Sequence, residues 1–264
     1  MLIPLGQDGM TMNTARIEKA EGSTARDGFL SDAFGYPCHV LSLPCDMDAL
    51  AVELADLPAP AFVWAKVTGR DDPAFAALGA LGFRIAVEEI TYERPGDAPA
   101  PAMSAPDDIA LRHITQQDAA DASPLAAGVG ALAAANLTTS RFHQDPLISG
   151  DIAAEVKKRW AMNFFAGKRG QEMFVATSPD GRIAGFNQVL VEPGHKVIDL
   201  ICTAGHMRRK GVARALVAAM FEPGLPTRVG SQANNKAADA FYKSLGFVPV
   251  GTSLCLHWHR GGTA

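Results

Sequence analysis

Residues 198–217, IDLICTAGHMRRKGVARALV, constrain this chain more than any other stretch. An apolar run with strand character, Ile198–Thr203, leads into the basic segment Arg208-Arg209-Lys210-Gly211 and at once into a helical pattern. A strand, a cationic glycine loop and a helix in that order belong to an α/β protein. The N–H groups of a helix's first turn have no partners within the helix, and its dipole adds positive potential there. A diphosphate therefore docks at such an end, and three cations reinforce it. Gly211 and the small Ala213 let phosphates approach the backbone closely. No Gly-Lys-Ser/Thr follows, so the loop is not a Walker loop.

The surrounding pattern supplies the rest of the sheet. Strands are expected at Cys38–Leu43, Phe62–Val67, Ile109–Ile114, Glu172–Thr177, Arg182–Val191, Lys196–Thr203, Arg228–Ser231 and Phe247–Trp258, with short turns at 178–181 and 192–194 making antiparallel hairpins. Helices are expected at Met47–Leu57, Pro73–Leu81, Asp151–Phe165 and Val212–Phe221, and from an Asn234 or Asn235 N-cap to Gly246. Ile152, Val156, Trp160 and Phe164 share one face of the third of these. The Pro- and Ala-rich stretch 96–107 reads as a linker between an N-terminal domain (1–95) and a C-terminal domain (108–264). Leu78–Glu93 and Tyr242–Trp258 share a helix end, a Leu-Gly-Phe turn and a strand, which points to a duplicated unit. The expected fold is α/β, a mixed sheet flanked by helices.

Gly128-Val129-Gly130-Ala131-Leu132-Ala133 matches the dinucleotide fingerprint G-x-G-x-x-A. It follows no strand and no βαβ unit surrounds it, so it carries no nucleotide-binding expectation.

Two motifs together carry a family resemblance. Arg208-x-x-Gly211-x-Ala213 resembles the R/Q-x-x-G-x-G/A pyrophosphate loop of the GNAT acyltransferase superfamily. Asn235-x-x-Ala238-x-x-Phe241-Tyr242-x-x-x-Gly246-Phe247 resembles its second signature, N-x-x-A-x-x-F-Y-x-x-x-G-F. The resemblance implies the GNAT fold, an acetyl-CoA cosubstrate and N-acetylation of a small-molecule amine. It implies that Ile201, Cys202 and Thr203 bind the pantetheine arm. Arg208, Arg209, Lys210, Gly211, Val212, Ala213 and Arg214 would hold the diphosphate, Asn235 would contact the cofactor, and Tyr242 would be the general acid. A looser resemblance covers Ala33–Leu43, Phe62–Val67, the strand ending at Glu93 and Ser140–Ile148. Within the superfamily these segments are similar to the TDP-fucosamine acetyltransferase type, which implies a nucleotide-linked amino sugar as acceptor. Acylation of another amine, and a non-catalytic acyl-CoA sensor, stay open beside it.

Packing alone would account for Tyr242 on the stripe Ala238, Phe241, Tyr242, Leu245; the resemblance of its F-Y pattern implies the proton donor instead. A phenol with a pKa of ~10 can donate to a departing thiolate. An amine is mostly protonated at neutral pH, so a base is required. Asp199 is one candidate, since alternation puts it on a face with Ile201 and Thr203; the other reading is a solvated polar residue. Arg141 and His143, in the polar cluster Ser140–Asp145, are candidates for holding a substrate diphosphate and taking the amine proton, or else a solvated helix end. Cys202 has no evident His partner, which favours direct transfer over an acyl-enzyme. His257 and His259 lie on one strand face, but no carboxylate or thiolate neighbour is evident in the sequence, so no metal is expected.

The N-terminal half has no R-x-x-G-x-G/A loop, and the turn alignment puts Leu78 opposite Tyr242. It is expected to serve as scaffold and as one wall of the acceptor pocket. A formal net charge of -4 argues against nucleic acid, no apolar run approaches a membrane span, and the start has no secretory pattern. Four scattered cysteines fit free thiols, so a cytoplasmic monomer or homodimer is expected.

Overall fold

The computed structural model describes residues 23–99 and 106–261. The chain start and the middle of the 96–107 linker, each part of the sequence reading, lie outside them. In chain order the N-terminal half contains β1 (Thr24–Arg26), α1 (Gly28–Phe34), β2 (Cys38–Leu41), α2 (Met47–Asp56), β3 (Ala61–Val67), α3 (Pro73–Ala80) and β4 (Arg84–Arg94). The C-terminal half contains β5 (Ala110–Thr115), α4 (Ala126–Asn136), α5 (Arg141–Gln144), α6 (Gly150–Met162), β6 (Glu172–Thr177), β7 (Ile183–Glu192), β8 (His195–Thr203), α7 (Val212–Ala218), β9 (Thr227–Gln232), α8 (Lys236–Lys243) and β10 (Val248–Arg260). All eight expected strands and five expected helices are present. Periodicity missed β1, α1, α4 and α5, which are short or Ala-rich and carry little amphipathic signal.

The ten strands of the described residues form one mixed sheet in the order β1-β2-β3-β10-β4-β9-β8-β7-β6-β5. β2 runs parallel to β3, and β8 runs parallel to β9. The last strand of each half is exchanged: β10 lies between β3 and β4, and β4 lies between β10 and β9. The two segments on either side of the linker therefore contribute strands to one sheet. Neither lobe closes its own sheet without the other's strand.

The helices divide between the faces. Phe29, Phe142, Val156, Trp160 and Phe186 join one core cluster under α1, α4, α5 and α6. On the other face Tyr92, Ile198, Leu216, Val229 and Tyr242 pack under α7 and α8. Leu50, Leu54, Val63, Leu78 and Leu256 do the same under α2 and α3.

The duplication shows in backbone geometry. Gly82 and Gly246 both take left-handed conformations, φ 95° and 83°, which only glycine adopts without strain. Phe83 N donates to Leu78 O at 3.0 Å, and Phe247 N donates to Tyr242 O at 3.1 Å. The fingerprint-like glycines lie within α4. A Cβ on Gly130 would stand 2.8 Å from Met162 Sδ, and one on Gly128 2.8 Å from Ile183 Cδ1. They allow α4 to pack closely on α6 and the sheet. Among the described residues no helix is long and apolar enough to cross a membrane.

Candidate active site

The site begins where two parallel strands part. β8 pairs with β9 only through Lys196–Thr227, Val197–Arg228 and Ile198–Val229. Beyond that point β8 stays on β7 as far as Thr203–Gly185, while β9 stays on β4 as far as Gln232–Glu89. The backbone of Ile201, Cys202 and Thr203 is thus left with an open edge toward β9. Its cause is local: Leu200 pairs with Gln188 and Ile198 with Val189, so Asp199 is the extra residue of a β-bulge that bends β8 away. Clefts at the carboxyl ends of parallel strands are where open α/β sheets bind ligands.

The cationic loop lies at the end of that cleft. Arg208, Arg209, Lys210 and Gly211 are exposed, Val212 is buried, and Ala213 and Arg214 are half-buried. The first bond of α7 runs from Ala215 N to Gly211 O at 3.0 Å, so the N–H groups before it have no helical acceptor. Arg208 donates weakly to Asn136 Oδ1 at 3.4 Å, while Arg214 is tied to Ser244 Oγ at 2.9 Å. Asn235 caps α8, its Oδ1 accepting from Ala238 N at 3.1 Å, and its Nδ2 reaches Thr139 Oγ1 at 3.5 Å.

Tyr242 sits among Tyr92, Phe241 and Phe247, ring centroids 5.8, 5.3 and 5.6 Å away. Burial, with a smaller contribution from Tyr92, pushes its phenol pKa upward. Among the described residues no side chain or backbone group hydrogen-bonds its hydroxyl. The phenol is therefore held by packing and kept protonated at neutral pH.

Asp199 requires a correction. The bulge turns it toward α6, the side of Leu200 and Cys202, whereas Ile201 packs on the opposite face. Its Oδ2 accepts from Arg169 Nε at 2.7 Å, Gln188 Nε2 at 2.8 Å and Trp160 Nε1 at 2.9 Å; its Oδ1 accepts from Arg169 Nη2 at 2.5 Å. The residue is 4% exposed. A carboxylate so fully engaged ties β8 to β7, α6 and the loop after α6.

Arg141 and His143 leave the solvated helix end that was one reading of them. Arg141 is buried, its Nη1 donating to Cys255 Sγ at 2.8 Å and its guanidinium lying 4.2 Å from the Trp64 ring centroid. It lines a cavity together with Trp64, Lys66 and Glu89 from the N-terminal half and Lys157, Trp160 and Gln232 from the C-terminal half. His143 is half-buried, its Nδ1 2.8 Å from Ser140 Oγ. Burial and the nearby Lys157 charge lower its pKa.

The reason for discounting His257 and His259 does not hold. Asp145, at the end of α5, brings its Oδ2 to 2.6 Å from His257 Nδ1 and 2.8 Å from His259 Nε2. The three ligand atoms lie within 4.8 Å of one another. Both ring nitrogens address one oxygen at hydrogen-bond distance, the geometry of a clamp joining α5 to β10. Burial pushes His257 down to about 4, with partial compensation from Asp145. Burial alone would raise Asp145, but bonds from His257, His259 and Leu147 N outweigh it and hold the carboxyl well below the usual range.

Lys157, Arg169, Lys66, Glu89 and Asp145 were not singled out in the sequence. One signal was available. Lys157 falls on the same helical face as Ala153, Trp160 and Phe164, a charge inside an apolar stripe. The others meet only through strand exchange and long-range packing.

Residues 169–249 match the model of the acetyltransferase (GNAT) domain family. The chain is 27% identical over 122 residues to the spore coat polysaccharide biosynthesis protein SpsD of Bacillus subtilis (strain 168), a match spanning 44% of this chain and 42% of that protein. A tandem GNAT protein from the clavulanic acid biosynthesis pathway superposes with a TM-score of 0.59 at 14% identity, covering 96% of this chain and 87% of that one. A GCN5-related N-acetyltransferase from Sphaerobacter thermophilus gives a TM-score of 0.56 at 15% identity, covering 82% and 66%. Residues 169–249 are thus similar to a GNAT acetyltransferase domain, and the mixed sheet flanked by helices has the fold of the GNAT structures.

Proposed function

We propose that this chain transfers an acetyl group from acetyl-CoA to a primary amine by direct attack within a ternary complex. One observation carries the reading: the parting of β8 and β9 opens a strand edge that ends at the cationic loop 208–211. That edge offers peptide N–H and C=O groups to an amide-bearing arm. The helix-partnerless N–H groups ahead of Ala215, with Arg208, Arg209 and Lys210, suit a diphosphate. Ile201, Cys202, Thr203, Val212, Ala213, Arg214 and Asn235 complete the proposed cofactor contacts. Bound acetyl-CoA supplies the thioester whose carbonyl the amine attacks and whose thiolate departs.

In this reading Tyr242 delivers a proton to the leaving sulfur, since its buried phenol stays protonated. His143 takes the amine's proton, its lowered pKa keeping it neutral near pH 7. Cys202 is buried and its thiol is pushed up to about 12, which disfavours a covalent acyl-enzyme. For the acceptor, the amino group of a nucleotide-linked amino sugar is the proposal. It draws support from the polysaccharide role in the name of the Bacillus relative and from the looser resemblance of Ala33–Leu43 and Ser140–Ile148.

The test is thiol release from acetyl-CoA with a panel of nucleotide-linked amino sugars, free amino sugars, polyamines, amino acids and peptide N-termini. Release with an amino sugar supports the full proposal. Release only with another class retains acetyl transfer and replaces the acceptor. Saturable acetyl-CoA binding with no release for any amine would instead make the chain an acyl-CoA-binding module.

A further inference from the structure

Among the described residues one group of metal-ligating side chains converges: Asp145, His257 and His259. Alternation along β10 puts both histidines on one face of a strand that is paired on either side. His257 stands opposite Trp64 of β3 and Arg84 of β4, and His259 opposite Phe62 of β3. Asp145 caps the C-terminal end of α5, and its Oδ1 accepts from Leu147 N at 2.9 Å. Its Oδ2 faces the strand, 2.6 Å from His257 Nδ1 and 2.8 Å from His259 Nε2. Both rings rest on Phe62, whose centroid lies 4.8 Å from that of His257 and 5.1 Å from that of His259. The far nitrogen of His257, Nε2, is buried without a hydrogen-bond partner among the described residues. Nothing on that side therefore fixes which ring nitrogen holds the proton. Asp145 and His257 are buried while His259 is half-buried, so the cluster has one side near solvent.

Two imidazoles and one carboxylate oxygen make a donor set that suits zinc and its first-row neighbours. Metal–ligand bonds of ~2.0–2.1 Å put ligand atoms about 2.9 Å apart at a right angle and about 3.3 Å apart at the tetrahedral angle. The separations here reach that range through side-chain shifts well under an ångström. We propose that Asp145, His257 and His259 form a binding site for a divalent transition-metal ion, with Zn2+ the best fit. Asp145 Oδ2, His257 Nδ1 and His259 Nε2 hold the ion, and water completes its shell. Metal entry replaces the two hydrogen bonds of the clamp. Each imidazole moves its proton to the nitrogen facing away, Nε2 in His257 and Nδ1 in His259, and gives the freed lone pair to the ion. Both rings stay neutral in that exchange. The bond from Leu147 N orients the carboxylate, the supporting role that outer partners play at metal sites. The ion is structural: it pins the end of α5 to the central strand β10. Arg141 and His143 lie four and two residues before Asp145, so the site fixes the helix that presents them. The site does not depend on the acyl-transfer reading.

The experiment uses the full chain without a histidine tag, stripped by chelator and then titrated with Zn2+ by calorimetry. Wild type should take up one equivalent at this site, and its Tm should rise saturably with Zn2+, as for any ligand that binds only the folded chain. Mg2+, which prefers an all-oxygen shell, should leave the Tm unchanged. Asp145→Asn and His259→Gln should each weaken Zn2+ binding by about 100-fold or more, since loss of a supporting partner alone costs 10–100-fold. His195→Gln, outside the cluster, should bind as wild type does. Wild type that takes up no Zn2+, or equal binding by wild type, Asp145→Asn and His259→Gln, overturns the site. Where a variant does not fold, X-ray absorption of zinc-loaded wild type decides. A shell containing two imidazoles supports the site, and one without them overturns it.

Discussion

Tyr242 and Leu78 occupy the same place in two copies of one unit. Each lies in the last turn of a helix and offers its carbonyl to the N–H of the phenylalanine five residues on, across a left-handed glycine. Leu78 is fully buried under α2 and α3; Tyr242 is 4% exposed under α7 and α8. The two copies therefore differ by a hydroxyl at the position where the proposed chemistry needs a proton.

Tyr242→Phe keeps the packing against Tyr92 and Phe247 and removes that proton. The expected result is a fall in kcat of ~10²-fold with little change in KM for acetyl-CoA. Steady-state thiol release measures both, and an unchanged kcat would return Tyr242 to a packing role.

Arg208→Ala and Arg209→Ala should each weaken acetyl-CoA binding by roughly 1.5–3 kcal/mol, the range for a hydrogen bond to a charged group. The amine KM should hardly move. Calorimetric titration of acetyl-CoA into each variant tests the loop assignment, which fails if neither affinity changes.

Arg169→Met leaves the Asp199 carboxylate buried without its ion-pair partner, a loss of about 3–5 kcal/mol in stability. Urea denaturation should show this, and the double variant Arg169→Met/Asp199→Asn should recover part of the loss. Asp199→Asn should leave the pH profile of kcat unchanged in shape. Loss of its acidic limb in a stable protein would restore Asp199 as the base.

The clamp of His257 and Asp145 makes the fold acid-sensitive. His257 titrates near 4 in the folded chain against an ordinary 6.5, so the unfolded chain binds the extra proton between those values. Stability is then complete above pH 6.5 and declines as pH falls toward 4, by roughly 3 kcal/mol at ~1.4 kcal/mol per unit. Asp145, held low, adds its own loss only below the ordinary carboxylate range. His257→Gln should flatten the slope between pH 6.5 and 4 in denaturation curves, whatever its effect at pH 8.

Strand exchange predicts how the halves behave apart. A fragment of residues 107–264 lacks β3 and β4, so β10 is left unpaired and β9 keeps only its short pairing with β8; one of residues 1–95 lacks β10. Each alone should be insoluble or unfolded, since long open edges invite aggregation. Co-expression should give one soluble complex with a single melting transition. An isolated C-terminal half that folds and binds acetyl-CoA would contradict this.

What the sequence determined by itself was everything written in local order. The 198–217 strand, loop and helix, the Asn235 cap, the two Leu-Gly-Phe turns and the run of hairpins are each specified by residues within about twenty positions of one another, through periodicity, capping and turn chemistry. Tertiary structure alone decided the pairings between distant segments. No local pattern says that β10 crosses into the other lobe, because strand pairing is chosen between segments far apart in the chain. No local pattern brings Asp145 to two histidines more than a hundred residues away, or seats Lys66 and Glu89 opposite Lys157. Asp199 marks the boundary between the two kinds of information. Alternation assigned it a face, and one extra residue against β7 reversed that face and delivered the carboxylate to Arg169. A bulge is a decision between two strands, and one strand's sequence does not contain it.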